Sequence, residues 1–255
     1  MADVVVIFSG SGGTGKSFFA CNLSYGLKSC EKKVLLVESG FNTRADDIIL
    51  GIKSDSIYTF TDICSGECKP HEAVVKSDNS LYPDFIPAGL GKADSERGIS
   101  AIIKSQSPYY DYIIFDLSTC FDRIFEETVK NANIAVAVTD DSPISVRNTA
   151  FATSKAKQLG CSKIYTLLNN VIISNDESSF VEDIIDETGA KLLGVIPADE
   201  HVKPSIVNSD PIYKYNTYAG RSLENICKRI LNKSVPDFET GISTGLFSRN
   251  KLVLK

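Results

Sequence analysis

Residues 9–17, Ser9-Gly-Ser-Gly-Gly-Thr-Gly-Lys-Ser17, form a glycine-rich run closed by Lys-Ser, and the apolar stretch VVVIF at residues 4–8 feeds straight into it. The spacing Gly10-x-x-x-x-Gly15-Lys16-Ser17 is that of a phosphate loop. Such a loop needs a strand before it and a helix after it. Residues 4–8 are too short an apolar run for a helix and predict a buried parallel strand. Beyond Ser17, Phe19, Leu23, Gly26 and Leu27 recur at helical spacing, and residues 34–37 predict a second buried strand. Strand, loop, helix and strand make a βαβ unit. Its glycines let backbone N–H groups converge on one concave nest, and the helix adds its positive end, so anionic phosphates fit there. Lys16 is then expected against the β- and γ-phosphates of a nucleotide and Ser17 on a Mg2+ ion.

The alternation continues along the chain. YDYIIFDLS predicts a strand ending at Asp116, NIAVAVTDDS another, and residues 144–159 a helix capped by Ser142 with Pro143 at its first position. IYTLLNNV and LLGVIPADE predict two more strands with a helix over 179–187 between them, and a last helix covers 219–231. The stretch 54–101 is rich in Ser, Asp, Gly and Pro, with one helix expected near 61–75 and a short strand around 85–87. The fold class is therefore α/β: a doubly wound, mostly parallel sheet with helices on both faces and ligands at the carboxyl ends of its strands. Residues 1–232 are expected to form one nucleotide-binding domain and 233–255 a C-terminal tail. Asp116, delivered by an apolar strand about 100 residues after the loop, is the candidate carboxylate for Mg2+, directly or through water.

Composition narrows the class. The 255 residues are 43% hydrophobic and 23% charged, as in soluble globular proteins. A net charge of -5 argues against a broad basic face for nucleic acid. No apolar run approaches the roughly 20 residues that span a bilayer, and no secretory core follows the amino terminus, so a cytoplasmic protein is expected. Seven scattered cysteines do not form a disulfide framework. Cys64, Cys68 and His71 supply three metal-type ligands where a structural zinc needs four, and the other histidine, His201, is remote in sequence.

The run SGSGGTGKS resembles GKGGxGK[ST] of the MinD and ParA group of deviant phosphate-loop ATPases, and the likeness extends over almost the whole chain. VESGFNTRADDIILG is similar to the family's switch I segment, VDxDxGxxNxDxxLG. YDYIIFDLSTC is similar to its switch II strand, FDYIIxDxPAG. AVTDDSPISVRNT resembles VTTPExxSVRDA, and LLGVIPADEHVKPSIVNSDPI closely resembles the MinD stretch LGVIPEDxxVxxAxNxGxPV. The resemblance implies an ATP-dependent homodimer that positions division or pilus machinery through a protein partner. It implies Gly12, Gly13, Thr14, Gly15, Lys16, Ser17 and Phe18 as nucleotide binders, Lys16 and Asp116 as catalytic residues, and Ser17 and Asp116 at Mg2+. Asn169 falls where the family contacts adenine, although a strand-end amide satisfied by its neighbours explains it equally. Pro197 and Asp199 fall in the loop near the base.

Three departures set the chain apart. Ser11 replaces the signature lysine that reaches across the dimer, and a hydroxyl brings no charge and little reach; a cation supplied in trans is worth roughly 10³ to 10⁵ in phosphoryl transfer. Gly40 falls on the Asp that orients the attacking water in the family, with Glu38 on the preceding acid as a partial substitute. Ser118, Thr119 and Cys120 replace Pro-Ala-Gly. Cys120 also brings to mind the cluster-carrying relatives, but no Cys-x-x-Cys is present and one thiolate per subunit is too few for a bridging cluster. The binding half of the site is kept and the hydrolytic half eroded. The expected function is an ATP-binding spatial regulator with weak or absent hydrolysis; an active membrane-cycling ATPase and a non-enzymatic scaffold for pilus or secretion assembly are the alternatives. The tail STGLFSRNKLVLK, with Arg249, Lys251 and Lys255 basic and Leu246, Phe247, Val253 and Leu254 on one side of a helical wheel, is either a short amphipathic helix for anionic membrane or an unanchored terminus. The membrane alternative makes the protein peripheral at the inner face of the cell membrane.

Overall fold

The computed structural model describes residues 1–39, 44–52, 56–90, 97–172, 178–233 and 235. Strand β1 (Asp3–Phe8) leads through the glycine-rich loop into helix α1 (Lys16–Ser29) and strand β2 (Val34–Glu38). Helices α2 (Asp46–Leu50) and α3 (Phe60–Ser65) precede β3 (Asp84–Ile86), and α4 (Arg97–Gln106) leads to β4 (Tyr112–Asp116). Then α5 (Arg123–Lys130), β5 (Ile134–Thr139), α6 (Pro143–Gln158), β6 (Ile164–Val171), α7 (Ser178–Thr188), β7 (Lys191–Pro197), α8 (Val202–Val207) and α9 (Tyr218–Ile230) complete the described order.

The strands form one seven-stranded sheet in the order β3-β2-β4-β1-β5-β6-β7, each pair of neighbours parallel. The doubly wound expectation is met. The reason is legible in VVVIF: Val4, Val6 and Phe8 enter one apolar layer with Phe60, Ile99 and Phe125, while Val5 and Ile7 enter the other with Phe19, Leu23 and Ile226. Successive side chains point to opposite faces, so a strand covered on both sides must be apolar throughout. After β4 the chain crosses over β1 to start β5, and this reversal opens a crevice at the carboxyl ends of the central strands. There Asp116 is level with Ile7 of β1 and Glu38 of β2.

The helix expected over 61–75 is shorter. α3 ends at Ser65 because Gly66 takes a left-handed φ of 80°, which satisfies the last carbonyls and reverses the chain. Pro70 then opens a single 3-10 turn, Pro70–Glu72, and Val75 makes an antiparallel bridge to Phe85. Amphipathic α4, with Ile99 and Ile102 buried, was hidden by the polar composition around it. Ser142 caps α6 as expected, its side chain accepting from Ser145 N, with Pro143 in the first turn. The C-terminal tail falls almost wholly outside the described residues, as does Gly40. No helix among the described residues is long and apolar enough to cross a membrane.

Candidate functional site

The loop between β1 and α1 is held open by two glycines, Gly13 at φ 80° and Gly15 at φ 86°, values that side-chain-bearing residues rarely adopt. A Cβ on Gly15 would lie 2.2 Å from Asn169 Nδ2, and that amide donates to Thr14 O at 2.8 Å. The loop is also pressed onto α6: a Cβ on Gly10 would meet the Asn148 carbonyl carbon at 2.1 Å. Its backbone is thereby fixed before any ligand arrives. The first turn of α1 carries no acid of its own, so no side chain of the helix offsets its positive end. Thr14 is 2% exposed and its Oγ1, buried, has no hydrogen-bond partner. Phe18 contributes backbone to this turn, and its ring packs in the core.

Ser17 donates its hydroxyl to Asp116 Oδ2 at 2.5 Å. Burial pushes the Asp116 carboxyl up to about 6 against the lowering effect of the Ser17 bond and of the Lys16 charge, and the Glu38 charge adds to the rise. Its other oxygen, Oδ1, is buried without a hydrogen-bond partner. A hydroxyl, a carboxylate and an orphaned carboxylate oxygen are hard oxygen donors, so Ser17 and Asp116 fit Mg2+. The ion would need phosphates and waters to complete its shell, since no group of three His, Cys, Asp or Glu among the described residues could hold a metal. Cys64 and Cys68 lie near His71 in sequence, and burial pushes their thiols up to about 12 and about 11.

Glu38 is anchored. Its Oε1 accepts from Ala45 N at 2.6 Å and Asp46 N at 3.2 Å, and its Oε2 from Ala88 N at 3.3 Å. Burial raises its pKa, opposed by these N–H groups. Ser39 Oγ donates to Asp116 O at 2.8 Å, which ties the end of β2 to the end of β4. Ser11 Oγ accepts from Asn148 Nδ2 of the same chain at 3.1 Å. Ser118 and Thr119 are half-buried and Cys120 is exposed.

Pro197 and Asp199 line a cleft of about 600 Å³ with His201, Thr217, Tyr218 and Arg221. It lies at the carboxyl ends of β6 and β7, where Asn169 pairs with Ile196 and Val171 with Pro197. Asn169, which holds the phosphate loop at Thr14 O, stands two residues before Val171 of the cleft wall. Asp199 is held below the ordinary carboxylate range: burial raises it, but donors from Thr217 and His201 prevail. Arg221 sits 4.6 Å over the Tyr218 ring. The α9 side of this cleft was not legible in the sequence, because Thr217, Tyr218 and Arg221 look like an ordinary helix start and only the fold brings them opposite Pro197.

A phosphate loop and a strand-end carboxylate bound to its serine, with an open cleft beside them at the same ends of the strands of a doubly wound sheet, define a nucleotide-binding domain of the phosphate-loop class. The family model described as "CobQ/CobB/MinD/ParA nucleotide binding domain" matches residues 5–212. The chain belongs to that family. It is 28% identical to the septum site-determining protein MinD of Thermotoga maritima over 98% of this chain and 97% of that protein. It is 26% identical to MinD of Helicobacter pylori over 98% of each. The MinC:MinD cell division protein complex of Aquifex aeolicus contains a chain of similar structure, with a TM-score of 0.82 and 25% identity over 93% of this chain and 99% of that one.

Proposed function

We propose that this chain is an ATP-binding spatial regulator of the MinD type that retains Mg·ATP far more readily than it cleaves it. The observation that carries the proposal is the Ser17–Asp116 pair at 2.5 Å beneath a preformed phosphate loop. Lys16 and the loop N–H groups hold the phosphates, Ser17 and Asp116 hold Mg2+, and the cleft at Pro197 and Asp199 takes the base. Bound Mg2+ would neutralise phosphate charge. Asn169 braces the loop from the base side.

Weak cleavage follows from what the catalytic positions do. Ser11 offers no charge, and its hydroxyl is engaged by Asn148 within its own chain. Both Glu38 oxygens accept backbone N–H groups, so this carboxylate holds the strand-end loops rather than a water. Gly40 has no side chain with which to replace it. Relatives named septum site-determining proteins, aligned over nearly their full length, and the MinC:MinD cell division protein complex support a positioning role and a partner from the division machinery. Calorimetry with ATP and Mg2+ tests the reading: wild type is expected to bind and Lys16→Ala to lose binding, and a wild-type protein that binds no ATP would refute it.

A further inference from the structure

Asp46, the first residue of α2, is 0% exposed, and neither of its carboxylate oxygens has a hydrogen-bond partner. No ion pair involves it among the described residues. It lies against α1: Cys21 Sγ is 3.9 Å from the Asp46 carbonyl oxygen, and Cys21 stands one helical turn after Ser17, on the same side of α1. Three carboxylates therefore gather where α1 crosses the ends of β2 and β4. Glu38 is satisfied by three backbone N–H groups, whereas Asp46 keeps both oxygens and Asp116 keeps Oδ1 without a donor. Burial foremost, then the charges of Asp116 and Glu38, raise the Asp46 pKa against the lowering effect of the Cys21 thiol.

A buried carboxylate oxygen without a full hydrogen-bond donor is unfavourable, so Oδ1 of Asp116 and the oxygens of Asp46, which have only the weakly donating Cys21 thiol beside them, call for a positive charge or water. Mg2+ binds through one or two carboxylates and phosphate oxygens while keeping several waters, and groups that orient such waters contribute to metal affinity. We propose that Asp46 is a positioning residue for the divalent cation of the nucleotide site, holding it through its waters behind Ser17 and Asp116. The inference rests on the Mg·ATP reading, and it adds a residue from α2 to a site otherwise built from the phosphate loop and β4.

The test is calorimetric titration of the full chain with a non-hydrolysable ATP analogue, in EDTA and at stepped Mg2+, for wild type, Asp46→Asn and Asp46→Ser. Both variants are expected to need about 10-fold or more Mg2+ to reach the same nucleotide affinity, with binding in EDTA unchanged or tighter. The spectrum of Mn2+ bound with the analogue is expected to change in the variants. Without metal, Asp46→Asn is expected to melt no lower than wild type, because burial and the neighbouring carboxylates already favour the neutral acid, and the amide has nearly the same shape. An unchanged Mg2+ requirement overturns the inference and leaves the ATP reading intact. Variants that fail to fold, or that melt lower without metal, assign Asp46 to packing and overturn it as well. A wild type that binds no analogue at any Mg2+ concentration removes the ATP reading and the inference together.

Discussion

Gly15 combines a φ of 86° with a Cβ position 2.2 Å from Asn169 Nδ2, so a methyl group there must both strain the backbone and displace the amide that holds Thr14 O. Backbone strain of this kind costs about 1 to 3 kcal/mol. Gly15→Ala is expected to lower the melting temperature and to weaken ATP by more than about 10-fold, since 1.4 kcal/mol is a factor of ten; a calorimetric and thermal comparison with wild type checks both. Asn169→Ala removes the brace without the strain, so it is expected to weaken nucleotide with a smaller loss of stability. At this scale the sequence marked the loop, Lys16, Ser17 and Asp116, because motif spacing fixes them. It did not mark Asp46, since an Asp-Asp pair ahead of an apolar turn looks like a solvated helix start, and only the packing of α2 on α1 buries one of the two. Nor did it show that both oxygens of Glu38 are spoken for, which depends on loops far apart in sequence meeting at Ala45 and Ala88.

Among the elements, β3 is one of the two edge strands, three residues long, and it is fastened by a side chain rather than by a long ladder. Asp84 Oδ2 accepts from Lys76 Nζ at 2.6 Å and from Tyr110 OH at 2.6 Å, and Oδ1 accepts from Ser77 N at 3.1 Å. Burial raises the Asp84 pKa, but these donors prevail and hold it below the ordinary carboxylate range. Its stabilising contribution is therefore complete above the ordinary carboxyl pKa and is lost as pH falls through the lowered value. Asp84→Asn is expected to cost about 1 to 3 kcal/mol at neutral pH and to flatten the acid limb of the stability curve, as denaturant unfolding between pH 7 and pH 2 would show. Element boundaries were legible where a local device sets them, as at Ser142 and Pro143. They were misjudged over 61–75, where the left-handed turn at Gly66 overrode an apolar pattern that continues past it.

Over the whole molecule, the sheet divides the interior into two apolar layers, and function sits at the edge where the layers end. A series of aromatic contacts connects the core to that edge. Phe8 meets Phe125 at 5.5 Å, Phe125 meets Phe121 at 5.2 Å, and Phe121 meets Phe151 of α6 at 5.6 Å between ring centroids. Phe125→Ala is expected to cost about 3 to 5 kcal/mol, read by denaturant unfolding, because the ring is 2% exposed and its loss leaves a cavity between β1 and α5. The α/β class followed from the apolar runs and the phosphate loop alone, since a strand buried on both faces has no other composition available. The cleft beside Asp199 did not, because its walls come from chain segments that meet only in the folded sheet. The central claim is that this molecule holds Mg·ATP and scarcely breaks it. Labelled ATP mixed with excess protein and Mg2+ tests this directly when bound nucleotide and released phosphate are followed in one sample. The account predicts nearly complete binding with the label still in ATP long after binding is finished; absence of binding, or cleavage approaching the roughly 1 per second at the low end of ordinary enzyme turnover, would contradict it.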